Sequence, residues 1–121
     1  MLLYFVDAIQ PAEVAVLKGQ GHRCVIAASS DQATLRHNMA TAEVLIVRST
    51  TVTREMMEAA PNLGLIIRAG AGTDTIDVDA ASEFGIYVCN VPGQNAVAVA
   101  ELTLGLVLAL DRGITQSTND L

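Results

Sequence analysis

The stretch from Val44 to Asp77, VLIVRSTTVTREMMEAAPNLGLIIRAGAGTDTID, contains two short apolar runs separated by a segment with helical features. The runs Val44 to Val47 and Leu65 to Ala69 have the length and aliphatic composition of buried β-strands. Between them, Thr53 stands where a residue could cap a helix, and Pro61 stands where it would end that helix. A strand, a helix and a second strand in this order indicate a parallel β-α-β unit.

The same alternation extends along the rest of the chain. Further strand-length runs lie at Leu2 to Val6, Arg23 to Ala27 and Ile86 to Val91. Helices are predicted to begin at Pro11, near Ser29 or Ser30, and after the capping residue Asp77, the last of these ending at Gly85. Five β-α units with right-handed crossovers predict an α/β, flavodoxin-like three-layer fold with a five-stranded parallel sheet of order 2-1-3-4-5.

A long apolar segment follows the fifth strand. From Asn95 to about Arg112 the sequence predicts one helix whose Val and Leu side chains point in nearly every direction, and such a helix has to be buried on more than one side. We therefore expect residues 1–94 to form the flavodoxin-like domain and residues 95–114 to form a helix that packs on it or on a partner chain. Residues 115–121 are polar, and we expect them to fray.

The composition argues against several classes of function. The formal net charge is −6 and Lys18 is the only lysine, so we expect no nucleic-acid partner. The apolar run Ala96 to Leu110 contains Glu101 and is shorter than the roughly 20 residues of a membrane span, and the N-terminus lacks the basic region of a signal peptide. These features predict a cytoplasmic protein with no membrane partner.

Neither the cysteines nor the histidines indicate a reactive centre. Cys24 and Cys89 lie in apolar runs without CxxC spacing and are interpreted as small buried residues in a reducing compartment. His22 and His37 have no nearby carboxylate in the sequence that would orient either of them as a base. We expect no metal, because no cluster of His, Cys, Asp and Glu has the spacing of a ligand set.

Three polar segments follow the third, fourth and fifth strands, and in an open parallel sheet this is where ligands bind. They are Arg48 to Thr51, Arg68 to Asp74 and Asn90 to Asn95. Gly70 and Gly72 leave backbone N–H groups free to turn toward a carboxylate or phosphate. Arg48 can then add a charge-assisted hydrogen bond, Ser49 a hydroxyl and Asn95 an amide.

A structural interpretation of the same residues stays open. The glycines can serve tight turns, Arg48 and Arg68 can pair with Asp74 or Asp77, and Asn95 can cap the last helix. The Gly70-Ala-Gly72 pair is not a dinucleotide fingerprint, because Thr75 stands where GxGxxG needs its third glycine.

Taken together, four fragments in series resemble the N-terminal signature of the D-2-hydroxyacid dehydrogenases, and in particular their phosphoglycerate dehydrogenase branch. They are VRSTT at 47–51, IRAGAGTDTID at 67–77, NVPG at 90–93 and NAVAVAELT at 95–103. The resemblance implies that Gly70, Ala71 and Gly72 hold the substrate carboxylate through backbone amides, while Arg48, Ser49 and Asn95 approach the other polar groups of the substrate. Thr75 departs from the family, which usually has Asn there.

The resemblance also implies what this chain lacks. In the family a Rossmann domain follows the long helix and carries the NAD site and the catalytic Arg, Glu and His. We therefore expect a truncated substrate-binding domain that binds a 2-hydroxy acid weakly, has no cofactor and no catalytic residue of its own, and forms a homodimer through the 95–112 helix. The alternative is a stand-alone flavodoxin-like structural or dimerisation module without enzymatic activity.

Overall fold

The computed structural model describes residues 1–27 and 32–119, in which short strands alternate with helices. The strands are β1 (Leu2–Phe5), β2 (Arg23–Ile26), β3 (Val44–Val47), β4 (Leu65–Arg68) and β5 (Tyr87–Asn90). The helices are α1 (Pro11–Gly19), α2 (Gln32–Met39), α3 (Arg54–Glu58), α4 (Val78–Glu83), α5 (Ala96–Asp111) and α6 (Ile114–Asn119). The start predicted for the second helix at Ser29 or Ser30 lies outside the described residues.

All five strands are parallel, and their order is β2-β1-β3-β4-β5, which confirms the predicted fold. In the register, Val47 is the neighbour of Arg68, and Arg68 is the neighbour of Asn90. Phe5 of β1 is likewise level with Ile46 of β3. The C-terminal ends of these four strands therefore form a single edge, which we call the carboxyl edge.

The core is unequal on the two faces of the sheet. On one face the large cluster includes Leu35 and Met39 of α2, Met56 of α3 and Ala80 of α4, each with no exposed surface. The opposite face has a smaller cluster built on Leu3, Phe5 and Val44, against which Leu17 of α1 packs. The strand at the edge of the sheet is less covered, and Tyr87 of β5 remains 78% exposed.

The helix ends follow the sequence closely, with one exception. Asp77 caps α4, because its Oδ1 accepts a hydrogen bond from the backbone N–H of Ala80 at 2.9 Å, and Gly85 has the positive φ of 69° that the turn after this helix needs. Thr53 stands at the N-cap of α3, but its side chain makes no capping hydrogen bond there. The Thr53 side chain instead lowers the pKa of the Glu55 carboxyl by favouring its charged form.

The prediction that the long helix is buried on more than one side does not hold within this chain. No residue of α5 is buried, and its main contact is α6 rather than the sheet. A helix forms through its own backbone hydrogen bonds, so α5 does not need the sheet in order to be helical. Its apolar side chains predict a covering surface, which can belong to another molecule. Packing against a second chain stays a prediction.

Part of the segment 115–121, which is expected to fray, is helical up to Asn119. Gly113, with φ of 60°, ends α5, and the polar residues after it form α6. The N–H of Ser117 bonds the carbonyl of Gly113 at 3.0 Å. Polar residues are compatible with a helix because its backbone bonds are local. In the described part of the chain, no helix has the length and apolar character that crossing a membrane requires.

Candidate functional site

Four loops meet at the carboxyl edge of the sheet. Asp7 follows β1, Arg48 follows β3, the segment 69–77 follows β4, and the segment 91–95 follows β5. The register of the strands places these loops side by side. The three segments singled out from the sequence therefore lie on the same side of the molecule.

The turn after β3 is held by a carboxylate that the sequence did not single out. Asp7 Oδ2 accepts hydrogen bonds from the backbone N–H groups of Arg48 at 2.6 Å, Ser49 at 3.0 Å and Thr50 at 3.2 Å. Its Oδ1 accepts a fourth from the Thr50 hydroxyl at 3.0 Å. Three successive amides that converge on one oxygen form a nest for a negative charge, and Asp7 fills it.

The environment of Asp7 keeps its carboxyl ionised. Partial burial raises the pKa of Asp7, but the hydrogen bonds from Arg48, Ser49 and Thr50 favour the charged form and bring the pKa below the ordinary value of an aspartate. The turn is therefore held by a full charge at neutral pH. The sequence signal was a single Asp directly after an apolar strand, which spacing alone does not distinguish from a solvent-facing acid.

The loop after β4 is fixed on both sides. Towards β5, the N–H of Val91 bonds the Gly70 carbonyl at 3.0 Å, and Asn90 Nδ2 bonds the Ala71 carbonyl at 2.6 Å. Towards β3, Val52 forms a parallel bridge with Ile76. The loop therefore joins the sheet edge through its carbonyl groups, which leaves some of its amides free.

The amides of Ala71 and Gly72 have no hydrogen-bond partner among the described residues, and neither do those of Thr73, Asp74 and Thr75. The N–H of Gly70 already bonds the Arg68 carbonyl at 2.8 Å, so in this conformation it does not contribute to the expected anion-binding set. A Cβ at Gly70 would overlap the Arg68 guanidinium, so this flexible side chain would have to move if another residue stood there. A Cβ at Gly72 would lie 2.6 Å from Asp74 Oδ1.

Two adjoining cavities open at this edge, and Ala69 lines both. The first, of about 260 Å³, has Arg48, Asp7 and Glu13 in its wall. The second, of about 300 Å³, is lined by Gly70 and Asn95. The structure thus brings Gly70 and Asn95 together and places Arg48 in the neighbouring cavity.

Ser49, Ala71 and Gly72 are at the same edge but line neither cavity. All three are exposed to solvent, and Ser49 is tied through its backbone to Asp7. Their predicted contacts with a substrate are not visible as a common concave surface in this chain.

The polar side chains of the site are not used up by the protein itself. Within the described residues, neither Arg48 nor Arg68 forms an ion pair, with Asp74, Asp77 or any other acid. Asn95 is the N-cap residue of α5, but its side chain makes no capping hydrogen bond. The structural interpretation of these residues as internal pairs and caps is therefore not what this conformation shows.

Arg68 is a further cationic group that sequence reasoning considered only as an ion-pair partner. Its Nε is buried without a hydrogen-bond partner in the described part of the chain, and its guanidinium lies against Gly70. The strand register could have indicated this position, because Arg68 is the last residue of β4 and sits between Val47 and Asn90.

The residues present do not fit a dinucleotide or a metal. The turn after β1 has Asp7 in it, and α1 begins with Pro11, which has no N–H, and has Glu13 in its first turn, so a phosphate would meet negative charge there. The loop after β4 leads to α4, whose end is already capped by the Asp77 carboxylate. Among residues 1–27 and 32–119, no group of three or more His, Cys, Asp and Glu could hold a metal ion.

Comparison with known proteins identifies the family. The model of the D-isomer specific 2-hydroxyacid dehydrogenase catalytic domain matches residues 3–120. The chain is 54% identical over 81 residues to D-3-phosphoglycerate dehydrogenase of Methanocaldococcus jannaschii, covering 66% of this chain and 16% of that protein. It is 53% identical over 77 residues to hydroxypyruvate reductase of Thermotoga maritima, covering 63% of this chain and 25% of that protein.

A solved structure agrees with this result. NAD-dependent formate dehydrogenase from Staphylococcus aureus, in complex with NAD, superposes with a TM-score of 0.84 at 30% identity, over 97% of this chain and 40% of that one. The present chain thus spans a quarter or less of the curated relatives and two fifths of the solved chain. With its fold, its order of loops and the family match over nearly its whole length, this chain belongs to the D-isomer specific 2-hydroxyacid dehydrogenase family.

Proposed function

We propose that this chain is the substrate-binding part of an NAD-dependent D-2-hydroxyacid dehydrogenase and that its carboxyl edge binds the carboxylate of a small 2-hydroxy or 2-oxo acid. One observation carries the proposal. The amides of Ala71 and Gly72, which make no hydrogen bond within the described residues, lie at the same sheet edge as the guanidinium of Arg48 and the amide of Asn95, and the Asp74 carboxylate lies beside Gly72.

Each group has a distinct role in this proposal. Two adjacent backbone N–H groups can donate to the carboxylate oxygens, as in other backbone anion sites. Arg48 can donate a charge-assisted hydrogen bond to a second polar group of the ligand, and Asn95 can bond the hydroxyl or keto oxygen. Ser49 supplies a further hydroxyl at the rim.

The two arginines at the edge can bind a second anionic group of the substrate, against the negative potential of Asp7 and Glu13 in the cavity wall beside Arg48. Arg48 and Arg68 both lack an acidic partner within the described residues, and the chain as a whole is acidic. Two uncompensated guanidinium groups suit a phosphorylated hydroxy acid such as 3-phosphoglycerate better than glycerate. The relatives named above act on different substrates by name, so the assignment to 3-phosphoglycerate is the finer part of the proposal.

Chemistry would need more than these residues supply. Hydride transfer requires a nicotinamide held against the substrate and a group that moves a proton. The carboxyl edge has neither a fitting dinucleotide turn nor a histidine, since His22 precedes β2 and His37 lies in α2. We therefore expect this chain to bind its ligand weakly and to catalyse no turnover by itself.

The test is a titration of the isotopically labelled chain with 3-phosphoglycerate, followed by amide chemical shifts. Shifts confined to residues 70–75 and to Arg48, Ser49 and Asn95 are expected, with D-glycerate binding more weakly. Arg48→Ala should weaken the binding of 3-phosphoglycerate about tenfold or more, because it removes a charged hydrogen bond. Arg23→Ala is the matched control, because Arg23 is exposed and begins β2 at the opposite sheet edge.

A chain that shows no shift at millimolar ligand would refute the proposal and favour the second candidate, a structural or dimerisation module. That candidate has one observation in its favour. The residues Val97, Leu104 and Leu110 of α5 are 72%, 65% and 77% exposed, although apolar surface of this extent is usually covered by a partner. Both candidates agree that a second copy of this chain is the partner of α5.

A further inference from the structure

We infer that Asp7 is a positioning residue of the anion site, which acts by fixing the turn that carries Arg48. This inference rests on the proposed function. It deepens that function, because it assigns part of the binding to a negatively charged residue that would not be expected to assist an anion.

The geometry of the turn supports this role. The backbone ladder between β1 and β3 ends with the hydrogen bond from Val6 N–H to the Ile46 carbonyl at 3.1 Å. Beyond it the Asp7 carboxylate continues the connection, through the amides of Arg48, Ser49 and Thr50. The conformation of three consecutive residues is therefore set by one side chain from the neighbouring strand.

The ordered turn reduces the conformational entropy that Arg48 would lose when a ligand binds. Arg48 is exposed and has no ion pair among the described residues, so nothing at its own guanidinium holds it in place. Fixing the backbone of a residue costs conformational entropy. Because Asp7 has already ordered this turn, a ligand that meets Arg48 need not provide that free energy on binding.

Electrostatics alone predicts the opposite effect, which makes the inference testable. Asp7 and Glu13 both line the cavity that contains Arg48, so each contributes negative potential where an anion would approach. If Asp7 acted only through its charge, neutralising it would strengthen anion binding. If it acts by positioning, neutralising it weakens binding.

The experiment compares Asp7→Asn with Glu13→Gln in the full chain, with 3-phosphoglycerate as ligand and amide shifts as readout. Asn keeps the size of the side chain and one oxygen for the three amides, but a neutral amide oxygen accepts a weaker hydrogen bond than a carboxylate does. We expect Asp7→Asn to weaken binding about tenfold, the scale of a lost charged hydrogen bond, and Glu13→Gln to leave it unchanged or to strengthen it. Asp7→Asn should add little in an Arg48→Ala background, because the two residues act as one unit.

The outcomes separate this inference from the proposed function. Absence of ligand binding by the unmodified chain overturns both. Binding that is as strong or stronger in Asp7→Asn overturns only the inference, and so does an effect of equal size with and without Arg48. If Asp7→Asn does not fold, Asp7→Glu takes its place, since it keeps the charge but displaces the oxygens by one methylene. Unchanged binding by a folded Asp7→Glu variant would overturn the inference.

Discussion

Self-association through α5 can be tested quantitatively with the double substitution Leu104→Gln and Leu108→Gln. These leucines are 65% and 61% exposed, and they lie four residues apart, so they share one face of the helix. Burying a leucine fully contributes about 1.5 to 3 kcal/mol, so covering the exposed part of each contributes about 1 to 2 kcal/mol. A symmetric dimer buries four such side chains, so the double substitution should weaken the free energy of association by about 4 kcal/mol or more. This change raises the dissociation constant of the dimer about a thousandfold.

Sedimentation velocity over a range from low to high micromolar concentration measures this shift directly. Since α5 contributes no buried residue to the domain, the double variant should unfold at the same urea concentration as the unmodified chain when both are monomeric. The control is Val16→Gln, which replaces a valine that is 61% exposed and lies in α1 rather than in α5. An unmodified chain that stays monomeric at high micromolar concentration would refute the reasoning, as would a double variant that associates as strongly as the original.

Three further predictions concern the domain itself. Asp77→Ala removes the cap bond to Ala80 and should lower the free energy of unfolding by about 1 kcal/mol in urea titration, against a smaller effect of Asp79→Ala, which leaves the cap in place. Gly93→Ala should cost about 1 to 2 kcal/mol because φ is 78° there, whereas Gly64→Ala, with no positive φ and open space around it, should cost far less by the same assay. Asp7 has a lowered pKa in the folded chain, so its contribution to stability is complete above the pKa of an unfolded aspartate and is lost as the pH falls through the lowered folded value. Asp7→Asn should therefore reduce the fall in the urea midpoint at acid pH. An unchanged dependence of the midpoint on pH would contradict the stabilising role of the Asp7 carboxylate.

The parallel sheet was predictable because the physics that selects it is local and repetitive. Each strand is a short aliphatic run, and each helix end has a residue whose backbone chemistry marks it, such as Pro11 at the start of α1 or Asp77 before α4. The order of strands then follows from the small number of ways in which consecutive β-α units connect. For the same reason the polar segments after β3, β4 and β5 could be assigned to one edge in advance.

The parts that the sequence did not predict depend on tertiary partners or on single backbone bonds. Asp7 is an unremarkable acid until the strand pairing brings it beside the amides of Arg48, Ser49 and Thr50. The N–H of Gly70 looked free, but a local bond to Arg68 uses it, and no sequence pattern records such a bond. The apolar composition of α5 predicts that it needs a covering surface, but composition does not say which molecule supplies that surface.

The attachment of α5 has a mechanical consequence. A helix of 16 residues is about 24 Å long, and this one meets the sheet only through the short turn after β5, in which Gly93 adopts φ of 78°. Asn95, the N-cap residue of α5, also forms part of the wall of a cavity. A rotation of the helix by about 10° at Asn95 would move its far end, at Asp111, by roughly 4 Å.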